Sequence, residues 1–378
     1  MIACPGDGPW RIAVVSTPHV RTPPQGFGGS EQVASGLAEE LVRRGHQVTL
    51  FATADSQTAG RLEHAPCALP RGPYDHAGYR EVIHLCHALA RSGFDLVLNH
   101  CLQAVPLLSL YGAAPALTSL HYQPPVLCDF PWLNYVAISH RQAGLARRAG
   151  LNVVGVAHNG IDPSPYRVVA RKEDYLLWIG RLHVYKGPDL AIEVAQRLGM
   201  PLVLAAPPPP PDQEEFFAAR VRPHLRGRIE WVGDVGGQAK HRLFERAWCT
   251  LCPICWEEPF GLVMVESMAA GTPVIAFRRG AAPEIVAHGR TGFLVDDVEA
   301  MAAAVGQARS IDPHACRQRV ERLFTVATMT DAYLALAAKT SLPCRGRPGS
   351  PPPVPPAAPP ARPAPARRGA RGCAPRAP

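Results

Sequence analysis

Two carboxylates eight positions apart, Glu258 and Glu266, carry the strongest chemical signal in the chain. Glu258-Pro259 reads as a loop, Phe260-Gly261 turns it, and an apolar run continues as a helix through Glu266 and Ser267 towards Gly271. That spacing puts Glu258 on the loop and Glu266 about a turn and a half into the helix, both near one helix N-terminus. Such a terminus offers unpaired backbone N–H groups and a partial positive charge, a ready seat for phosphate. Carboxylates beside that seat would repel a phosphate, but they accept hydrogen bonds from hydroxyls. A phosphate seat flanked by acceptors for a polyol describes a site for a nucleotide-sugar.

Other residues extend the pattern. Arg181 and Lys186 sit within Gly180-Arg181-Leu182 and Lys186-Gly187, flanking a strand-to-helix turn. Two cations there suit a diphosphate, which needs stabilising as it departs. Gly28-Gly29, after the first strand, permits close backbone approach to a phosphate or an acceptor. His121 ends a strand, a position where a lone histidine is more often structural than catalytic. Glu257 is also acidic, but counting eight back from Glu266 selects Glu258 and leaves Glu257 as surface. Cys249, Cys252 and Cys255 have the spacing of a cluster or zinc site. They fall on a strand whose side chains alternate faces, so Cys249 and Cys252 point oppositely and read as small buried apolar groups. His84 and His87 share a helix without evident partners. No Asp-x-Asp motif suggests a divalent ion, and no metal or cofactor is expected.

The ordered set resembles the retaining glycosyltransferases of the family 4 type, which have the GT-B fold and an E-x7-E signature. The resemblance takes in Gly28-Gly29-Ser30-Glu31, Ile138-Ser139, the Arg181 and Lys186 segments, Gly271-Thr272-Pro273-Val274-Ile275-Ala276 and Gly289-Arg290-Thr291-Gly292-Phe293-Leu294-Val295. It spans roughly positions 10–335, and an ordered series is far more specific than one motif. It implies an α/β chain of two Rossmann-like, doubly wound domains facing across a cleft. It also implies roles. Glu258 and His121 lie against the transferred sugar, with Arg181 and Lys186 on the donor diphosphate. Glu266 takes the ribose hydroxyls, and the backbone of Phe260, Gly261, Leu262 and Val263 helps with the phosphates, as Gly29 does from the opposite wall. The departing diphosphate oxygen would itself take the acceptor proton, so no side-chain base is needed. The implied activity is metal-independent transfer of a sugar from a nucleoside-diphosphate donor, UDP-glucose the first choice, to an unidentified hydroxyl with retained configuration. Alternatives on the same fold are a nucleotide-sugar epimerase or hydrolase, or a non-catalytic nucleotide-sugar-binding subunit of a glycan assembly complex.

The elements that must position these residues follow from hydrophobic periodicity. Short β-branched runs alternate with helical patterns, which implies βαβ units and parallel sheets. Strands are expected at 11–17, 47–52, 95–99, 116–121 and 134–139, then at 175–179, 202–205, 229–232, 250–254 and 274–277. Helices are expected at 30–44, 188–198, 238–248, 261–270 and about 313–339. These give a domain at 10–165, with turn-rich 158–165 as hinge, and a domain at 166–327, which the resemblance makes the acceptor and donor sides. The resemblance implies that a helix at 328–340 returns to the first domain.

Composition fits this and locates the charge. The 378 residues carry a formal +8 and are 47% hydrophobic, enough for two cores. Residues 341–378 hold seven arginines, no acid and 13 of the 41 prolines, and so account for +7 of the +8. The body is nearly neutral, which argues against a specific nucleic-acid partner. The tail reads as a disordered, Pro/Arg-rich appendage whose binding chemistry would be docking in an aromatic-lined groove or weak membrane-surface or polyanion contact. Residues 1–9 lack the features of a secretory signal. The uncharged run 96–128 is broken by Asn99, His100, Pro106 and Pro115, so it reads as strand, helix and strand rather than a membrane span. With eleven cysteines and no disulfide framework, a reducing, cytoplasmic setting is expected.

Overall fold

Strands buried on both faces read as unbroken apolar runs, and this chain has two sets of them. In a computed structural model that describes residues 8–64, 77–91, 93–102, 105–111, 114–122, 125–169 and 171–340, each set closes into a wholly parallel sheet. The expected tail at 341–378 and residues 1–7 lie outside the described residues.

The first set consists of Arg11–Val15 (β1), Gln47–Phe51 (β2), Arg61–Glu63 (β3), Leu96–Asn99 (β4), Ala116–Leu120 (β5), Tyr135–Ala137 (β6) and Val153–Val156 (β7). Its helices are Gly29–Arg43 (α1), Ala77–Ala90 (α2), Pro106–Tyr111 (α3) and His140–Arg148 (α4). The spatial order is β3-β2-β1-β4-β5-β6-β7. Alternation is visible along β1: Ile12 and Val14 join the cluster under α1, whereas Ala13 and Val15 join Leu85 and Leu108 on the other face.

The second set contains Leu176–Ile179 (β8), Leu202–Ala205 (β9), Ile229–Trp231 (β10), Cys249–Cys252 (β11), Val274–Phe277 (β12) and Gly292–Val295 (β13). Pro188–Leu198 (α5), Glu214–Arg220 (α6), Gly237–Arg246 (α7), Leu262–Ala269 (α8), Ala282–Ile285 (α9), Val298–Gln307 (α10) and Pro313–Leu323 (α11) accompany them. The order β10-β9-β8-β11-β12-β13 repeats the arrangement of the first sheet. In each sheet the strand order reverses beside the first strand, between β1 and β4 and between β8 and β11. Such a switch point opens a crevice at the carboxyl ends of the strands.

β1 and β6 end before their expected bounds, because the polar residues that follow leave the ladder to make side-chain bonds. Ser16 and Thr17 follow β1; Ser16 Oγ lies 2.7 Å from Thr22 Oγ1, and Thr17 Oγ1 donates to Glu31. These bonds tie the glycine-rich loop to the sheet edge. Three strands have no counterpart in the expected list. β3 is three residues long with charged ends and sits at the sheet edge, β7 is mostly half-buried, and β13 follows a bridge from His288 to Gly292.

The last helix, Val326–Thr340 (α12), leaves α11 through a bridge between Ile161 and Thr325. Met329, Tyr333, Leu336 and Ala337 enter the same cluster as Ile12 and Leu37 in the first half. Tyr333 Oη and the buried Ser119 Oγ are 2.5 Å apart. The uncharged run divides into β4, α3 and β5, and among the described residues no helix is long and apolar enough to cross a membrane.

Candidate functional site

The two switch points face one cleft, with a cavity volume of about 710 Å³. Its walls carry the starts of α1 and α8. Both helices have glycine at the N-cap, Gly28 and Gly261, and no side chain caps either one. Gly261 has φ 92°, and a Cβ there would lie 2.5 Å from Met264 Cε, so the turn requires glycine. A Cβ on Gly29 would lie 3.5 Å from Leu262 Cδ1, which brings the two helix starts into direct apposition. Gly29, Gly261, Leu262 and Val263 all line the cleft. Phe260 lines it too but is only 2% exposed, its ring packed on His158 and Phe324. Its side chain therefore holds the loop, and only its backbone is presented to a ligand.

Glu258 and Glu266 stand where the loop and helix put them, and each is already paired with a lysine. Lys186 Nζ lies 2.5 Å from Glu258 Oε2, which also accepts from Trp256 Nε1 at 2.7 Å. The Gly280 turn packs against this residue: a Cβ there would be 2.4 Å from the Glu258 backbone nitrogen, at φ 55°. Glu266, 3% exposed, accepts at Oε1 from Lys240 Nζ at 2.6 Å and from Tyr166 Oη at 3.0 Å. Burial, then the Glu266 charge, pushes the Tyr166 phenol up, so it stays a hydrogen-bond donor. Both bonds fall on one oxygen, and among the described residues Oε2 takes none. The pocket thus gives each carboxylate one cationic and one neutral hydrogen-bond donor.

Arg181, just beyond β8, lines the cleft with its guanidinium 5.7 Å from the Phe27 ring of the opposite wall. His121, just beyond β5, lines it as well, its Nε2 2.7 Å from Nδ1 of the buried His100. Burial lowers the His121 imidazole to about 4, so it is neutral at physiological pH. Every residue assigned to the site from sequence therefore converges on one cavity.

Several participants escaped sequence reasoning. Glu31, named within the Gly28–Glu31 segment but given no role from sequence, is 5% exposed and lines the cleft at the start of α1. Lys240 on α7 and Tyr166 between β7 and β8 lie far from Glu266 in sequence, and only the fold joins them. Trp256 stood two residues from Glu258, a signal that proximity could have supplied. Glu257, taken as plain surface, is half-exposed, yet both its oxygens accept from Arg141 of α4 at 2.7 and 2.8 Å. It is a clasp between the two halves and not a member of the cleft. Glu284 makes a second clasp, accepting backbone N–H groups of His140 and Arg141 at 2.8 and 2.7 Å and meeting His158 Nε2 at 3.0 Å. Those bonds explain why His140, His158 and Glu284 converge within 4.8 Å. Cys249 and Cys252 are buried in the core, and burial raises both thiols, that of Cys252 to about 12. They behave as inert small side chains.

Two family descriptions match this chain. Residues 27–165 match "Glycosyltransferase Family 4", and residues 173–310 match "Glycosyl transferases group 1". The chain is 35% identical over 214 residues to a glycogen synthase of Mycobacterium tuberculosis, covering 50% of each protein. It thus spans about half the length of the curated relatives it matches at that level. Among solved structures, AviGT4, a glycosyltransferase involved in avilamycin A biosynthesis, superposes with a TM-score of 0.69 at 25% identity, covering 88% of this chain and 98% of that one. The Anabaena protein HepE, solved with UDP-glucose, gives 0.68 at 18% identity over 87% of this chain and 100% of its own, a likeness of fold.

Proposed function

We propose, from a chain that belongs to the family 4 type of glycosyltransferase with the GT-B fold, that it moves a hexosyl group from a nucleoside-diphosphate-sugar to a hydroxyl. The observation that carries this reading is the cleft's paired chemistry. Cations and open helix starts suited to a diphosphate lie beside two lysine-paired carboxylates suited to hydroxyls. The diphosphate occupies the start of α8, where Arg181 and Lys186 balance its charge as the glycosidic bond breaks. Glu266 offers Oε2 to the ribose hydroxyls while Lys240 and Tyr166 hold Oε1. Glu258, fixed by Lys186 and Trp256, meets the transferred sugar. The leaving diphosphate oxygen takes the acceptor proton on the face from which it departs, so configuration is retained and no separate side-chain base is required. UDP-glucose is the first donor to try; HepE was solved with that molecule.

The test is a donor screen that follows transfer and hydrolysis together, using small polyols and oligosaccharides as acceptors. Transfer with an anomerically retained product, unchanged by chelator, is the expected result. Interconversion of free nucleotide-sugars would favour an epimerase. Activity abolished by chelator and restored by one divalent ion would overturn the assignment of charge stabilisation to Arg181 and Lys186.

A further inference from the structure

We propose that His100 is a positioning residue: it holds His121 in the tautomer that carries its proton on Nδ1 and offers that N–H to the donor sugar. The inference rests on the reading of the cleft as a nucleotide-sugar site.

Backbone topology puts the two rings together. β4 and β5 are parallel neighbours, Asn99 registers with Thr118, and each strand is extended past its end by a histidine. The rings lie edge to edge and nearly coplanar, with centroids 5.0 Å apart and an interplanar angle of 24°. Nδ1 of His100 lies 2.7 Å from Nε2 of His121, a distance at which one proton sits between the nitrogens. His100 is 2% exposed, whereas His121 is half-buried and lines the cleft. Burial keeps both rings neutral.

A neutral pair can share that proton in two ways. If His121 donated from Nε2, His100 would accept at Nδ1 and carry its own proton on Nε2. That Nε2 is shut off from solvent and has no hydrogen-bond partner among the described residues. The arrangement would strand a buried N–H, the rarer and costlier kind of unpaired group. If His100 donates from Nδ1, its Nε2 is a bare acceptor and the donor is moved to His121 Nδ1. That atom has no bond among the described residues and is not among those shut off from solvent. The second arrangement puts the unpaired donor where a ligand can use it. A hydroxyl oxygen of the sugar then meets a fixed, uncharged donor, with no rotation or protonation needed on binding.

Nitrogen-resolved imidazole spectra of the full chain with labelled histidine test this without any ligand. The expected pattern has His121 protonated on Nδ1 and bare on Nε2, and the reverse would overturn the proposal. Function supplies the second arm. Asn at position 100 keeps an N–H for His121 Nε2, so His100→Asn should stay within about threefold of wild-type kcat, while His100→Leu should lose about tenfold or more, the effect of one lost hydrogen bond. Affinity for the nucleoside diphosphate alone should be unchanged in both. His100→Asp supplies only an acceptor, so it should reverse the tautomer and introduce a near-neutral step in the pH profile of kcat. Equal kcat in the Asn and Leu variants, both folded, would overturn the role of His100. A wild-type chain that binds no nucleotide-sugar while showing the expected spectrum would instead defeat the donor reading and, with it, the sugar contact assigned to His121.

Discussion

Glu257 and Glu258 are adjacent and equally acidic, yet the structure gives them opposite surroundings. Glu258 faces the cleft between Lys186 and Trp256, and Glu257 faces Arg141 on the outside. Replacing Glu266 by alanine removes the ribose acceptor and leaves Lys240 and Tyr166 without their partner, so Glu266→Ala should weaken donor binding by about 1–3 kcal/mol. Glu257→Ala should leave donor affinity unchanged; equal losses in a calorimetric titration would show that the register of the two carboxylates is wrong. The histidine pair makes a separate prediction. Both imidazoles are depressed in the fold by burial, so the unfolded chain binds the more protons as pH falls from about 6.5 towards 4. Stability from these rings is complete above about pH 6.5 and is lost across that window, at up to about 1.4 kcal/mol per pH unit for each group. Thermal unfolding in acid should therefore fall less steeply for His121→Asn than for wild type. At this scale the sequence exposed every residue that belongs to a local motif, Arg181, Lys186 and the two glutamates included. It could not expose Lys240, Tyr166 or His100, because their partners lie 26, 100 and 21 positions away and no periodicity links them.

The elements explain why such residues meet. α8 begins at a glycine that no other residue can replace without strain, and it buries Met264 to Ala269 so that its first N–H groups stay at the cleft. Strand and helix identities were legible wherever an apolar run was long, as in β1, α5 and β12. They were not legible in α4, where only Gln142, Ala143 and Ala146 are buried, or in β3, whose charged ends lie at the sheet edge. Both are elements in which tertiary position, not composition, decides the conformation. α12 was expected from its periodicity, and its packing on the first sheet yields a test. Leu336→Ala removes a side chain that fills space beside Gly155 and should cost about 2–5 kcal/mol. Tyr333→Phe leaves the buried Ser119 hydroxyl without its partner and should cost about 1–3 kcal/mol. Denaturant unfolding of the two variants would check both values; unchanged midpoints would show that α12 does not hold the first half together.

For the molecule as a whole, the parallel βαβ pattern was readable from alternating runs, and the ordered motifs pointed to two facing sheets. What no run of residues could show is how the halves meet. They do so through Arg141 on Glu257, Glu284 on the start of α4, and the Phe27 backbone N–H donating to Asp234 at 3.3 Å. All three contacts join residues more than 100 positions apart, beyond the reach of spacing arguments. The charge arithmetic was legible, since a near-neutral body agrees with a cleft lined by both signs, Arg181, Lys186 and Lys240 beside Glu31, Asp234, Glu258 and Glu266. The central claim is that this cleft seats a nucleoside-diphosphate-sugar with its diphosphate on Arg181 and the start of α8. Calorimetric titration of a panel of such donors, UDP-glucose first, into wild-type and Arg181→Ala chains tests it most directly. At least one donor should bind wild type one to one and bind the variant at least about tenfold more weakly, the loss of a charge-assisted hydrogen bond. No binding of any donor to wild type, or equal affinity for both chains, would contradict the account.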